Sequence, residues 1–226
     1  MKNPEFEKIT IATSCMNRND MLIETVPTWL KFPVKEIIIV DWSSTIPVKT
    51  TLEENNINDE RIRIITVPNQ NHYHHSKARN LKVFCCNTEW VLSIDADVKI
   101  NDNFFDNIYF LSGKKLYSLN LDGGVDSRFG TTMFRKKDYI DIGGCNTKMV
   151  GWGYEDLDLA IRMLKNDVVH IAFDKEHLYH IPHDDTRRTE NTKFQNKWES
   201  NSNNSYIATR NEQVNWEPFD FQYEEI

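Results

Sequence analysis

Four short segments hold the side chains whose types and spacing could do chemistry. Asp95-Ala96-Asp97 sets two carboxylates two residues apart. Hard carboxylate oxygens suit Mg2+ or Mn2+, and those ions bridge diphosphates well. One carboxylate of such a pair can bind the ion while the other meets a ribose hydroxyl or a metal-bound water. Gly151-Trp152-Gly153-Tyr154 flanks an aromatic ring with two glycines, and Glu155, Asp156 and Asp158 follow in the first turn of a helix. The glycines permit a tight bend or a moving loop. The helix macrodipole favours the ionised carboxylates. An ionised carboxylate beside an aromatic platform is what a general base for a sugar hydroxyl needs.

The third segment runs from His177 to Asp185, and a histidine there is a candidate to complete a metal site. His180 and His183 are three apart, so an extended strand sends them to opposite faces. Both reach one ion only if the chain turns at Pro182. The fourth, His72 to Asn80, is rich in histidine but opens a helix. Its better use is to face Arg79 and neighbouring donors toward phosphates or a base. Each pattern alone also describes something ordinary: an acidic turn, an acidic helix start around a core tryptophan, or surface histidines.

The elements that must position these residues alternate. Ile9–Thr13 is a short β-rich run, and Leu22, Val26, Trp29 and Leu30 follow at helical spacing, with Pro27 against it. Glu36 to Asp41 is a continuous apolar run of the kind buried on both faces. Arg61 to Val67 alternates like a strand with one wet face. Ser76 is placed to cap a helix with Ala78, Leu81, Phe84 and Cys85 on its apolar side. Trp90 to Ile94 then runs as a buried strand into Asp95.

The β-α-β-α-β order predicts an α/β fold with a mainly parallel, Rossmann-like sheet and helices on both faces. Ligands bind at the carboxyl ends of such strands, where Asp41 and Asp95–Asp97 fall. Strand-like pieces are expected around Gly123-Gly124 and Gly130. Leu157, Ala160, Ile161 and Leu164 mark a helix, with strands at Val168–Phe173 and Leu178–Pro182. Residues 1–183 form the expected catalytic domain. Residues 184–226 form an extension, partly ordered and packed on the body or a partner, because disorder seldom carries aromatics at the density seen there.

The 226 residues carry a net charge of −7, which argues against nucleic acid as a partner. No leader and no apolar run of about 20 residues is present, so a cytoplasmic protein is expected. Cys15, Cys85, Cys86 and Cys145 read as reduced thiols rather than a disulfide framework or zinc knuckle.

In this order the segments resemble the family 2 glycosyltransferases with the GT-A fold, over roughly Ile9 to His183. Ala12 to Arg18, with Thr13, Asn17 and Arg18, is similar to the family's first nucleotide-contacting segment. Val40 to Ser44 resembles its second-strand motif, with Trp42 and Ser43 in place of an Asp and a Gly, and the resemblance puts Asp41 on the nucleobase. Ser76 to Asn80 is similar to the Ala-Arg-Asn helix start, and Asp95-Ala96-Asp97 to the DxD motif. The stretch from Gly151 resembles the GWGxED segment of β-1,4-galactosyltransferases, polypeptide N-acetylgalactosaminyltransferases and chondroitin-type polymerases. That likeness makes Asp156 the base, Glu155 a sugar-holding residue and Trp152 a stacking platform. It makes Asp97 a metal ligand, Asp95 a contact to ribose or donor sugar, and either His180 or His183 a further ligand.

The expected activity is a metal-dependent inverting transfer of a hexose or N-acetylhexosamine, with Mn2+ or Mg2+. UDP-Gal, UDP-GalNAc or UDP-GlcNAc would be the donor and a saccharide or lipid-linked glycan the acceptor, as in polysaccharide biosynthesis. A lipid-linked acceptor would bring the enzyme to the inner face of the membrane as a peripheral protein. The oligomeric state is left open. A nucleotidyltransferase acting on sugar phosphates is the alternative enzyme, though no Gly-rich basic phosphate loop supports it. A non-catalytic carbohydrate-binding protein is the other alternative.

Overall fold

In the computed structural model, residues 5–108, 113–120, 126–194, 196–210 and 213–226 are described. The elements in chain order are β1 (Ile9–Cys15), α1 (Asn19–Leu30), β2 (Glu36–Asp41), α2 (Val48–Glu54), β3 (Ile62–Thr66), α3 (His75–Cys85) and β4 (Trp90–Ser93). They continue with β5 (Val98–Ile100), β6 (Lys115–Ser118), β7 (Thr132–Arg135), α4 (Lys136–Asp141), α5 (Glu155–Lys165) and β8 (Val169–Ala172). The last are β9 (Leu178–His180), α6 (Asp185–Thr189), α7 (Lys197–Arg210) and β10 (Glu224–Glu225).

An eight-stranded sheet runs in the order β10-β3-β2-β1-β4-β7-β6-β8. The block β3-β2-β1-β4 is parallel throughout. β7 is antiparallel to both its neighbours, and β8 runs parallel to β6. The apolar run of β2 explains its central place. Ile37 and Ile39 enter one hydrophobic cluster, while Ile38 and Val40 enter another. Burying such a side chain contributes about 1.5–3 kcal/mol, so both faces of β2 must be covered.

A two-stranded ribbon, β5 with β9, pairs Val98 with His180. It carries the histidine segment back to the acidic turn after β4. Among the described residues, no helix is long and apolar enough to cross a membrane. The cysteines are free; Cys15, Cys86 and Cys145 are buried and Cys85 is half-buried.

Three expectations need correction. Ser76 does not cap α3. The cap is His74, whose Nδ1 accepts from the Lys77 amide at 3.4 Å, and Ser76 lies buried in the first turn. α3 is also rotated: Val83 is buried while Phe84 is 43% exposed, against Trp216 and Phe219. In α5 three of the four expected apolar residues point outward, while Ala160 is buried with Leu159 and Met163. Leu157, Ile161 and Leu164 are 38%, 39% and 39% exposed, whereas Glu155, Asp158 and Arg162 are buried. Charge pairing explains the inversion: Arg162 binds Asp158 at 2.7 Å and the Ile142 carbonyl at 2.9 Å, which makes the polar face buriable. The strand pieces expected around Gly123-Gly124 lie outside the described residues.

Residues after 183 fold back across the sheet. Tyr73 donates its amide to the Asn191 carbonyl at 2.6 Å. Trp216, Phe219 and Phe221 pack on the second hydrophobic cluster. β10 closes the sheet edge beside β3, where Glu225 pairs with Arg63.

Candidate active site

β1 and β4 are neighbours, and the loops after them open into one cavity of about 730 Å3. After β4, Ile94 stays in the core while Asp95, Ala96 and Asp97 enter the cavity wall. Gly130 backs Asp95 closely: a Cβ there would lie 2.1 Å from Asp95 Oδ2. Only a glycine admits the carboxylate in that place.

The ribbon register brings His180 and His183 together at Asp97. His183 Nε2 lies 2.9 Å and His180 Nε2 3.5 Å from Asp97 Oδ2. β9 ends at His180, the Ile181 amide still donates to the Asp97 carbonyl at 2.8 Å, and residues 181–184 are irregular. Strand alternation, which would separate the two histidines, therefore stops before it applies. Candidate ligand atoms of Asp97, His180 and His183 all lie within 4.8 Å of one another. Asp97 Oδ1 is buried with no hydrogen-bond partner. A carboxylate oxygen left unpaired beside two imidazoles is a donor set that fits a divalent cation. Burial opposes charge on Asp97, but bonds from the histidines outweigh it and hold its pKa low. The same bond to Asp97 raises the pKa of His183.

In the same cavity, Arg79 reaches from α3 into an acidic group. Its guanidinium pairs with Asp156, with Glu155 at 3.3 Å and with Asp95 at 3.3 Å. Burial works against that charge, yet the three carboxylates keep the Arg79 pKa well above its ordinary value. Burial also pushes Glu155 up, to about 7, with Asp156 adding to it. Asp156 is raised as well, by burial first, while Arg79 opposes the shift. Glu155 Oε2 is buried and unpaired. His75 stands 3.9 Å from Glu155 Oε1, and burial keeps its pKa well below the usual imidazole value.

Of the residues singled out from sequence, Arg18, Arg79, Asp95, Asp97, Trp152, Gly153, Glu155, Asp156, His180 and His183 line this cavity. Thr13, Asn17, Asp41 and Gly151 are not in its wall. Both carboxylate oxygens of Asp41 accept backbone amides, from Ser44 and Val48 at 2.9 Å each, so it braces its own loop. Asn17 similarly accepts from the Thr45 amide at 2.8 Å and donates to Asn191 at 2.9 Å. Thr13 is fully buried, and its Oγ1 has no hydrogen-bond partner. Arg18 is held by Glu190 and by the Arg187 carbonyl.

Sequence reasoning missed the contribution of the C-terminal segment. Arg188 and Lys197 line the cavity, their charged groups 5.4 and 4.8 Å from the Trp152 ring centroid. From sequence, Gly130 was read only as part of a strand-like stretch. Its closeness to Asp95 is a tertiary fact with no local signal.

A mainly parallel sheet bearing an acidic turn, two histidines and a second carboxylate pair at its carboxyl edge has the GT-A layout of glycosyltransferases. The glycosyl transferase family 2 profile matches residues 10–144 of the 226, and the chain belongs to that family. The profile for the N-terminal domain of galactosyltransferase matches residues 118–184. Curated protein sequences give no significant match.

Solved structures agree on the fold. Residues 1–349 of TarS from S. aureus superpose with a TM-score of 0.61 at 16% identity, covering 76% of this chain and 60% of that one. The catalytic domain of Drosophila beta1,4galactosyltransferase 7 with xylobiose gives 0.63 at 13% identity, over 93% and 82%. The mannosyltransferase PcManGT from Pyrobaculum calidifontis, with GDP-Man and Mn2+, gives 0.61 at 15%, over 75% and 56%. The chain thus spans about 60% of the TarS fragment. At such identities the likeness is one of fold.

Proposed function

We propose that the chain is a metal-dependent inverting glycosyltransferase that moves a hexose or N-acetylhexosamine from a UDP-sugar to a saccharide or lipid-linked glycan. The observation that carries this reading is the pairing of two unlike sites in one cavity. Asp97, His180 and His183 form a metal-type cluster, and buried Glu155 and half-buried Asp156 form a carboxylate pair in the same cavity. Solved GT-A structures have been obtained with UDP-GlcNAc and with manganese plus UDP-Gal and xylobiose, which supports the donor class.

Asp97, His180 and His183 would hold the ion. Two imidazoles beside a carboxylate suit Mn2+ better than Mg2+, which prefers oxygen ligands. A divalent ion bound there neutralises charge on the leaving diphosphate. Asp95, near the ion site and 3.3 Å from Arg79, is placed to meet a ribose or donor-sugar hydroxyl. Thr13, Asn17 and Asp41 shape the nucleotide side from behind the wall, with Arg18 at its surface.

Asp156 acts as the base. As the acceptor oxygen attacks the anomeric carbon, its proton passes to the Asp156 carboxylate and the bond to the diphosphate breaks from the opposite face. A single displacement inverts the configuration. Arg79 favours the ionised form of Asp156 against the cost of burial, which still leaves its pKa raised. Such general-base help is worth about 10²–10⁴-fold. Glu155 holds a sugar hydroxyl, and Trp152 shapes the acceptor side.

In this reading residues 1–183 are the catalytic body and 184–226 an extension that completes it. The outward Leu157, Ile161 and Leu164 begin at the cavity, since Leu157 lines it. Their exposure supports an acceptor with an apolar tail and peripheral work at the inner face of a membrane, in glycan assembly in the cytoplasm.

The reading is tested by thermal shift with UDP-Gal, UDP-GalNAc and UDP-GlcNAc, each with and without Mn2+. Stabilisation that requires both nucleotide and Mn2+ is expected, because binding to the native state raises apparent stability. Stabilisation by a nucleoside triphosphate and sugar 1-phosphate, with none by a UDP-sugar, would overturn it.

A further inference from the structure

α7 is docked the wrong way round for an ordinary amphipathic helix. Its Trp198 is 84% exposed and its Tyr206 60% exposed, while Ser200 and Asn204 are fully buried. A helix that turns aromatics to solvent and hydroxyl and amide groups inward gains little from apolar burial. What it gains is set by the partners of those polar groups.

Those partners are the backbone of one turn. Ser200 Oγ accepts the Trp152 amide at 2.5 Å and donates to the Trp152 carbonyl at 2.7 Å. Asn204 Nδ2 donates to the Gly153 carbonyl at 2.8 Å. Positions 200 and 204 are one helical turn apart and so share a face. Lys197, on the turn before, lies over the Trp152 ring. The glycines answer the same contact. A Cβ on Gly151 would lie 2.3 Å from Ser200 Oγ, and one on Gly153 would lie 1.9 Å from Asn201 Oδ1. Both glycines also have positive φ, +83° and +102°. They allow α7 to approach the turn as well as letting the turn bend.

We infer that α7 is a clamp on the acceptor side of the site, with Ser200 and Asn204 as positioning residues that fix the Gly151-Trp152-Gly153 turn. This rests on the reading above that Trp152 and Asp156 face the acceptor. Asp156 begins three residues after Gly153, through a left-handed Tyr154 (φ 69°), so a shift of the turn is passed to the base. Because the metal-type cluster lies on the ribbon and on the turn after β4, the clamp acts on acceptor geometry and leaves donor binding alone.

The test uses the full chain with Ser200→Ala and Asn204→Ala, singly and together. UDP with Mn2+ probes the donor site by calorimetry. Transfer is followed from UDP-Gal, UDP-GalNAc and UDP-GlcNAc to p-nitrophenyl glycosides of galactose, N-acetylglucosamine and xylose. Hydrogen exchange reads the Trp152 amide. The expected result is faster exchange at Trp152, an unchanged Kd for UDP, and a 10- to 100-fold loss in kcat/KM shared by kcat and acceptor KM, the scale of a small misplacement. Unchanged exchange at Trp152 in the double variant overturns the clamp. So does faster exchange with unaltered transfer, or a loss shared equally by UDP affinity. If the unaltered protein neither binds UDP nor transfers, the function fails while the exchange result still decides whether α7 holds the turn.

Discussion

At Glu155 and Asp156 burial works against ionisation, and Arg79 works for it. Burial is the largest influence on both, so each carboxyl is raised above its ordinary value, Glu155 to about 7. Transfer that needs an ionised Asp156 should therefore rise as pH increases through the range in which the pair loses its proton, read as kcat/KM against pH. Stability should move the opposite way. Between the ordinary glutamate value of 4.5 and about 7 the folded chain holds a proton on Glu155 that the unfolded chain has released. Stability from this group is thus greatest at the acid end and declines as pH rises to about 7. Glu155→Gln should flatten that part of the melting-temperature profile, and an unchanged slope would assign it elsewhere. At the metal-type cluster, His180→Ala and His183→Ala should each weaken Mn2+ binding in calorimetry, because both imidazoles face Asp97. If one variant bound Mn2+ as the unaltered protein does, the two-histidine site would be reduced to one.

The elements decide how those residues meet, and here the sequence was legible in part. The parallel β-α-β core could be read because Ile37 to Val40 of β2 are all apolar and β4 runs out toward Asp95, two residues past its end. The joint histidine site could not be read from strand alternation, since β9 stops at His180 and the irregular backbone after it brings His183 to Asp97. The inward face of α5 was hidden for a different reason. The Asp158–Arg162 pair is buried beside Leu159, Ala160 and Met163, so the inward face mixes charge with apolar residues and its charged part carries no apolar signal. Asp41 sits at the strand end as expected, but its carboxylate is spent on the amides of Ser44 and Val48. Gly130, just before β7, gives a sharp test at this scale. Gly130→Ala would drive a methyl into Asp95, costing about 1–3 kcal/mol of stability and weakening UDP binding with Mn2+. A variant with normal melting and normal UDP affinity would show that Asp95 has room to move.

Taken whole, the molecule presents one cavity that holds the Asp97–His180–His183 cluster and the Glu155–Asp156 pair, with the exposed Leu157, Ile161 and Leu164 leading away from it. If the acceptor is lipid-linked, Ile161→Asp combined with Leu164→Asp should reduce co-sedimentation with phosphatidylglycerol-containing vesicles by about tenfold or more. The same variant should leave UDP affinity unaltered, as neither residue lines the cavity. Equal sedimentation of both proteins would remove the membrane from the account. The central claim is that one cavity joins a metal-held donor to a base on Asp156. Its most direct test is Asp156→Asn, measured for UDP-sugar binding with Mn2+ and for transfer in parallel. The account predicts unchanged binding and a loss of transfer of about 10²–10⁴-fold. Near-normal transfer by that variant would contradict it.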